Sequence, residues 1–279
     1  MSTEPKGELF LVSVPIGNLE DITVRASRLM ANADVIACED TRQTAKLLEL
    51  LGISKPKLIS THDHNESRRI PDLLNRLDRG EQIVLVSDAG TPTISDPGFG
   101  LVNAAIDAGY QPIPIPGPCA VIAALSASGL STATFRFLGF LPHKEGALRK
   151  CFQAVDTAED TLVFYVGPHH LERAIGVAAE VFGPDRRAVI ARELTKKFEE
   201  FNRGTLGELQ ADPGTVRGEM VLLVDGFSGA LELDDDAFRA MVMTLRTDGL
   251  STSKIAKEIA RQIGIPRAEV YKKVMAVLG

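Results

Sequence analysis

Short apolar runs, each closed by a polar loop and followed by a stripe of helical period, constrain this chain more than any other feature of its sequence. "LFLVSV" (9–14), "DVIAC" (34–38), "KLIS" (57–60) and "IVLVS" (83–87) are too short for helices and too apolar for surface loops. They read as buried strands. Asp21 is read as the cap of an intervening helix on which Ile22, Ala26, Leu29 and Ala33 share one face. Thr41–Leu51 is a second helix stopped by Gly52, and Ile70, Leu73, Leu74 and Leu77 form a third stripe stopped by Gly80. "YQPIPIPG" (110–117) carries three prolines, which places it at a sheet edge. The pattern then restarts with "FRFLGFL" (135–141), "TLVFYV" (161–166), "AVIARE" (188–193) and "EMVLLVDGF" (219–227), with helices between them. Strands this apolar must be covered on both faces, so the class is α/β. Two α/β domains are expected, residues 1–118 and 119–229, joined through "PIPIPGPCA". Residues 234–279 form a small helical unit, with helices near 236–247, 253–263 and 266–278, "GIP" as a turn and Pro266 at a helix start. Such a unit is either a helix-turn-helix or a plain three-helix cap.

Charge and cysteine usage narrow the functional classes. The net charge of −6 argues against general affinity for nucleic acid. It is unevenly spread: residues 237–279 carry +5, leaving −11 on the rest. The basic end is a phosphate contact or a set of solvated helix faces. Cys38, Cys119 and Cys151 are scattered without a CxxC pair, which points to reduced thiols in a cytoplasmic protein and to no structural zinc. No apolar run nears the roughly 18 residues that span a bilayer, and "MSTEPKGE" lacks the apolar core of a signal peptide.

Chemistry in open α/β sheets sits beyond the carboxyl ends of the strands. Four unusual loops fall there: "PIGNLEDIT", "CEDTRQT", "SDAGTPTISDPG" and "PGPCA". Their small residues let backbone approach a ligand. Asp88 and Asp96 offer acceptors to a cationic or hydroxyl-bearing group, and Ser87, Thr91, Thr93 and Ser95 can donate. There is no GxGxxG after the first strand and no GxxxxGK[ST], which disfavours a dinucleotide dehydrogenase and a P-loop NTPase. The His62–His64 pair of "THDHNE" is too little for a metal site, and none is expected.

These motifs carry a resemblance. "VPIGNLEDIT", "IACEDTRQTAKLL", "SDAGTPTISDPG", "PGPCA", "FLP" and "RELTKKFEEFNRGTL", in this order, resemble the tetrapyrrole-methylase superfamily, and within it the ribosomal RNA small-subunit methyltransferase I family. The resemblance spans essentially the whole chain. It implies two α/β domains with S-adenosylmethionine (SAM) between them, and methylation of the ribose 2′-oxygen of a cytidine in the decoding region of 16S rRNA. It also implies a homodimer acting on the small ribosomal subunit. By the same resemblance Ser87, Asp88, Ala89 and Thr91 face the methionine part of SAM, Pro15, Cys119 and Ala120 line the pocket, and Tyr165, Val166, Thr195 and Glu219 close it. A ribose hydroxyl is a poor nucleophile, so a general base is sought among Glu39, Asp40, His62 and His64. RNA contacts are sought among Arg42, Arg68, Arg69, His143, Lys144, Arg149 and Lys150. With 5% aromatic residues and no Trp, recognition is expected to rest on shape and backbone. Two other readings stay open: methylation of a small tetrapyrrole, and a non-enzymatic SAM sensor that binds nucleic acid through the helical end.

Overall fold

The computed structural model of the protein describes residues 7–54, 56–227, 235–247, 249–263 and 267–278. Its first half alternates strand and helix: β1 (Glu8–Val12), α1 (Val24–Asn32), β2 (Val35–Cys38), α2 (Thr41–Leu50), β3 (Lys57–Ser60), α3 (Glu66–Asp78), β4 (Gln82–Val86), α4 (Phe99–Asp107) and β5 (Ile113–Ile115). The strands form one parallel sheet of order β3-β2-β4-β1-β5. β5, with Pro114, is at the edge, where a residue that cannot donate does least harm. The period of two along each strand splits the core. Phe10, Val12, Ile36, Cys38, Val84 and Val86 pack with Ala26, Met30 and Leu48 of α1 and α2. Leu9, Val35, Ala37, Ile83 and Leu85 pack on the other face with Leu73, Leu77, Leu101 and Ala105 of α3 and α4.

One expectation here is corrected. Asp21 does not cap α1; it ends a short 3-10 turn, Leu19–Asp21, whose own cap is Asn18. Thr23 caps α1, its Oγ1 accepting from Ala26 N–H at 3.0 Å, so Ile22 packs from outside the helix. Two cap-competent residues two positions apart left the sequence ambiguous.

The second half comprises α5 (Ala120–Ser128), β6 (Phe135–Phe140), α6 (Glu145–Gln153), β7 (Thr161–Val166), α7 (Leu171–Phe182), β8 (Arg187–Arg192), β9 (Glu200–Thr205), α8 (Leu206–Ala211) and β10 (Met220–Val224). Its sheet runs β6-β7-β10-β8-β9, with only β6 and β7 parallel. α6, α7 and α8 cover one face around Phe152, Phe164, Phe182 and Leu222. α5 covers the other through Val121, Ala124 and Leu125 against Val163, Val189 and Val221. A helix between every pair of strands was expected, and β8–β9 departs from that. β9, "EFNRGT", is too polar to announce itself as a strand; it is the outer edge, so one side of its backbone needs no partner strand.

α9 (Asp235–Thr247), α10 (Thr252–Ile263) and α11 (Arg267–Leu278) follow as three helices around Phe238, Val242, Ile255, Ile259, Val270 and Val274. The turn expected at Gly264–Pro266 lies outside the described residues.

Candidate active site

The strand order of the first sheet locates a crevice before any side chain is considered. The chain leaves β1 toward β2 on one side and leaves β4 toward β5 on the other, although β1 and β4 are neighbours. Loops departing in opposite directions open a gap at the carboxyl ends of that pair. The backbone bridges this gap at Val14 and Gly90. Val14 N–H donates to Gly90 O at 2.8 Å, and Gly90 N–H donates back to Val14 O at 3.0 Å. "LFLVSV" thus pairs as a strand only to Val12, and its end is spent holding the loop after β4.

That loop is braced on both flanks. Ser87, 3% exposed, donates from Oγ to Ala89 O at 2.9 Å. Thr91 Oγ1 donates to Pro118 O at 2.9 Å and lies 3.0 Å from Ser13 Oγ, which ties the loop to the segment entering α5. Gly117 has to be glycine, since a Cβ there would meet Ser13 Cβ at 2.8 Å. Asp88 Oδ1 accepts from Asp40 N–H at 3.0 Å, joining the loops after β2 and β4.

Between these loops and the second sheet lies a cavity of about 330 Å³. Asp88, Ala89, Gly90, Thr91, Ile94, Ser95 and Asp96 form one wall, with Ile16 and the start of α5 at Cys119 and Ala120. Phe140, Tyr165, Val166, Gly167, Pro168, Leu194 and the 218–221 segment form the other. Tyr165 is fixed edge-on between Phe137 and Phe140, with centroids at 4.8 and 5.2 Å. Burial lifts its phenol to about 12. Behind Glu219, Lys196 Nζ is 2.9 Å from both Glu219 Oε2 and Glu193 Oε1. The Lys196 stem crosses to the first half and lies over Gly17, where a Cβ would be 2.5 Å from Lys196 Cγ.

Backbone strain gathers at this cavity. Among the described residues, the non-glycine positions with positive φ are Thr93 (72°), Ser95 (65°), Glu193 (49°) and Thr195 (66°). The first pair lies on the loop after β4, and the second pair flanks Leu194 on the opposite wall. Strain of this kind persists where surrounding structure over-determines the chain.

Of the residues expected to contact SAM, Asp88, Ala89, Thr91, Cys119, Ala120, Tyr165, Val166 and Glu219 line the cavity. Pro15, Ser87 and Thr195 do not; each is next in sequence to a lining residue, and Ser87 Oγ also holds Ala89 O. The proposed bases fare differently. Asp40 is the cap of α2, receives Arg42 N–H at 2.8 Å and pairs with the Arg42 guanidinium at 2.7 Å, which holds its carboxyl down to about 2. Glu39 and the half-buried His62 do not line the cavity, and His64 is exposed, its ring 6.0 Å from that of His62. Burial, with the charge of Asp88 behind it, raises the Glu39 carboxyl. Asp96 does line the cavity, and burial, followed by the charges of Glu39 and Asp88, lifts it to about 6. The sequence marked Asp96 only as a generic acceptor. The signal that could have singled it out is the Ser-Asp-Pro-Gly turn, which stops the loop short of α4.

Arg149, sought as an RNA contact, is paired with Glu180 and lies 3.7 Å from Glu145. Arg42 is 89% exposed but is held by Asp40. Arg68, Arg69, His143, Lys144 and Lys150 are exposed. Phe140, 65% exposed at the cavity mouth, was not anticipated; its sequence signals were an aromatic at the carboxyl end of a strand and its place in the "FLP" motif.

Residues 8–210 match the family model described as Tetrapyrrole (Corrin/Porphyrin) Methylases. The chain is 42% identical to the ribosomal RNA small subunit methyltransferase I of Halalkalibacterium halodurans, over 96% of this chain and 94% of that one. Against the protein of the same name from Vibrio cholerae it is 43% identical, over 99% and 98% of the two chains. Among solved structures it is similar to the methyltransferase CobJ, with a TM-score of 0.60 at 21% identity over 79% of this chain and 94% of that one. That likeness establishes the fold: two α/β sheets with a cavity between them.

Proposed function

We propose a reaction from one premise: the chain belongs to the ribosomal RNA small subunit methyltransferase I family, on a tetrapyrrole-methylase fold. It transfers the methyl group of SAM to the ribose 2′-hydroxyl of a cytidine in the decoding region of 16S rRNA. The observation that carries this is the lining of the cavity, a wall of largely apolar and backbone surface set with the carboxylates of Asp88, Asp96 and Glu219. Such a wall suits a cationic donor. Identity of 42–43% over nearly the whole chain favours this reading over methylation of a small tetrapyrrole and over a sensor without activity. We take the protein as two α/β domains, residues 1–118 and 119–229, with a helical unit at 234–279, acting as a cytoplasmic homodimer. Among the described residues, no helix is long and apolar enough to cross a membrane.

The residues present fit the donor. Gly90 offers bare backbone, with Ile16 Cγ2 only 3.4 Å from where a Cβ would stand. Thr195 Oγ1 is a buried hydroxyl with no hydrogen-bond partner among the described residues. When bound, SAM supplies an electrophilic methyl on a sulfonium. Asp88 and Glu219 hold its charged amino-acid end, Cys119, Ala120 and Leu194 exclude water, and Tyr165 and Val166 fix its depth. Asp96 accepts the proton of the ribose hydroxyl as the oxygen attacks. Asp40 is unsuited to that step, because a carboxylate already neutralised by Arg42 has little affinity for a proton.

The reaction is tested by offering tritiated SAM and protein to unmodified small subunits, naked rRNA and a tetrapyrrole precursor. Alkali-resistant label at a single rRNA nucleotide is expected; label confined to the tetrapyrrole, or none, overturns the proposal. Asp88→Ala is expected to weaken SAM binding about ten- to a hundredfold by calorimetry, the scale of one hydrogen bond to a charged group.

A further inference from the structure

The geometry points to a seat for an RNA phosphodiester beside the cavity mouth, formed by the loops after β6 and β7 from Lys144, Arg173 and the imidazoles of His143, His169 and His170. This rests on the reading of RNA as substrate and says where its backbone is held. β6 and β7 are parallel neighbours, so their carboxyl ends deliver two loops to one edge of the second sheet. Both loops also reach the cavity, one through Phe140 and the other through Gly167 and Pro168.

The loops are joined to each other. Arg173 Nη1 donates to His143 O at 3.0 Å, and the His143 and His170 rings stack with centroids 4.2 Å apart. His170 Nδ1 is buried with no hydrogen-bond partner among the described residues. Burial, with His143, Arg173 and His169 as neighbours, lowers the pKa of His170, so this ring favours its neutral form; the fixed positive charge of the seat is that of Lys144 and Arg173, and the imidazoles add N–H donors. Lys144, Arg173, His143 and His169 are exposed, and neither Lys144 nor Arg173 has a salt bridge among the described residues. Two carboxylates share the stretch, Glu145 and Glu172, and Arg149 lies 3.7 Å from the first.

The opposite lip makes the choice of side. Asp63 and Asp88 lie close enough for their charges to raise the carboxyls of Glu39 and Asp96, and such a lip repels phosphate. A strand whose ribose enters the mouth must therefore carry its phosphates along the β6–β7 edge. Phe140 stands between seat and cavity, exposed and placed to stack on a base.

The test uses the full chain and small ribosomal subunits. Lys144→Ala with Arg173→Ala should leave SAM affinity and kcat at saturating subunit unchanged, and raise KM for the subunit about tenfold or more. Two lost phosphate contacts should flatten the slope of log affinity against log salt by about 1.5. Lys144→Arg with Arg173→Lys should restore both, and Arg149→Ala should alter neither, since its charge is already spent on Glu180. Wild-type KM and salt slope in the double alanine variant overturn the seat, as does an equal loss in Arg149→Ala. If the wild type itself methylates no RNA, the reaction has failed rather than the seat.

Discussion

Asp96→Asn is expected to lower kcat by about a hundred- to ten-thousand-fold, the range removed with a general base, while SAM binding is largely retained. The amide keeps the shape of the carboxyl and loses its ability to take a proton. The pH profile separates this role from a merely structural one. The Asp96 carboxyl sits at about 6 in the free protein, so log kcat/KM should fall with unit slope below that pH. In Asp96→Asn this acid limb should vanish, leaving a low, flat rate. An intact limb in the variant would assign the proton to another group. Folding carries the opposite sign from an ordinary salt-bridged carboxylate. The native pKa stands above the unfolded value near 4, so the native state binds the extra proton between about 4 and 6. The contribution of Asp96 to stability is therefore lost as pH rises through that window. At neutral pH the fold carries a half-buried charge that does not help it stand.

Phe152→Ala is expected to cost about 3–5 kcal/mol of stability, and so to lower the thermal midpoint by roughly 10 °C for a chain of this size. Phe152 is fully buried, with its ring 5.4 Å from Phe164 and 5.1 Å from Phe182. It binds α6 to β7 and α7 at once. Calorimetric unfolding with and without SAM checks it. A loss below 1 kcal/mol would mean that this core collapses freely around the gap.

Much of this architecture was legible because buried parallel strands cannot hide. "DVIAC" and "IVLVS" must be apolar on both faces when helices cover both. Strand-end loops were legible for the same reason: "SDAGTPTISDPG" is too polar and too rich in Gly and Pro to be anything but exposed and specially shaped. β9 was not legible, because an edge strand with one polar side looks like a loop. Nor was the fate of single charges. Arg149 and Lys144 are five residues apart and equally cationic in sequence, yet Glu180, thirty-one residues beyond Arg149, occupies only the arginine. The same long-range pairing separates Asp40 from Asp96: one found a guanidinium, the other a hydrophobic wall and like charges.

The four left-handed residues at the cavity have a consequence for anyone who would make this protein hardier. A left-handed side chain costs about 1–2 kcal/mol, and glycine in its place returns about 0.5–1 of that to the entropy of the unfolded chain. Glycine at Thr93, Ser95 or Thr195 should therefore raise the melting temperature slightly, against the usual expectation for glycine; Glu193 is the exception, because its carboxylate holds Lys196 and accepts from Glu219 N–H. The same exchange frees the loop that aims Asp96 and the wall that faces it, so heat resistance and turnover are set against each other at these positions.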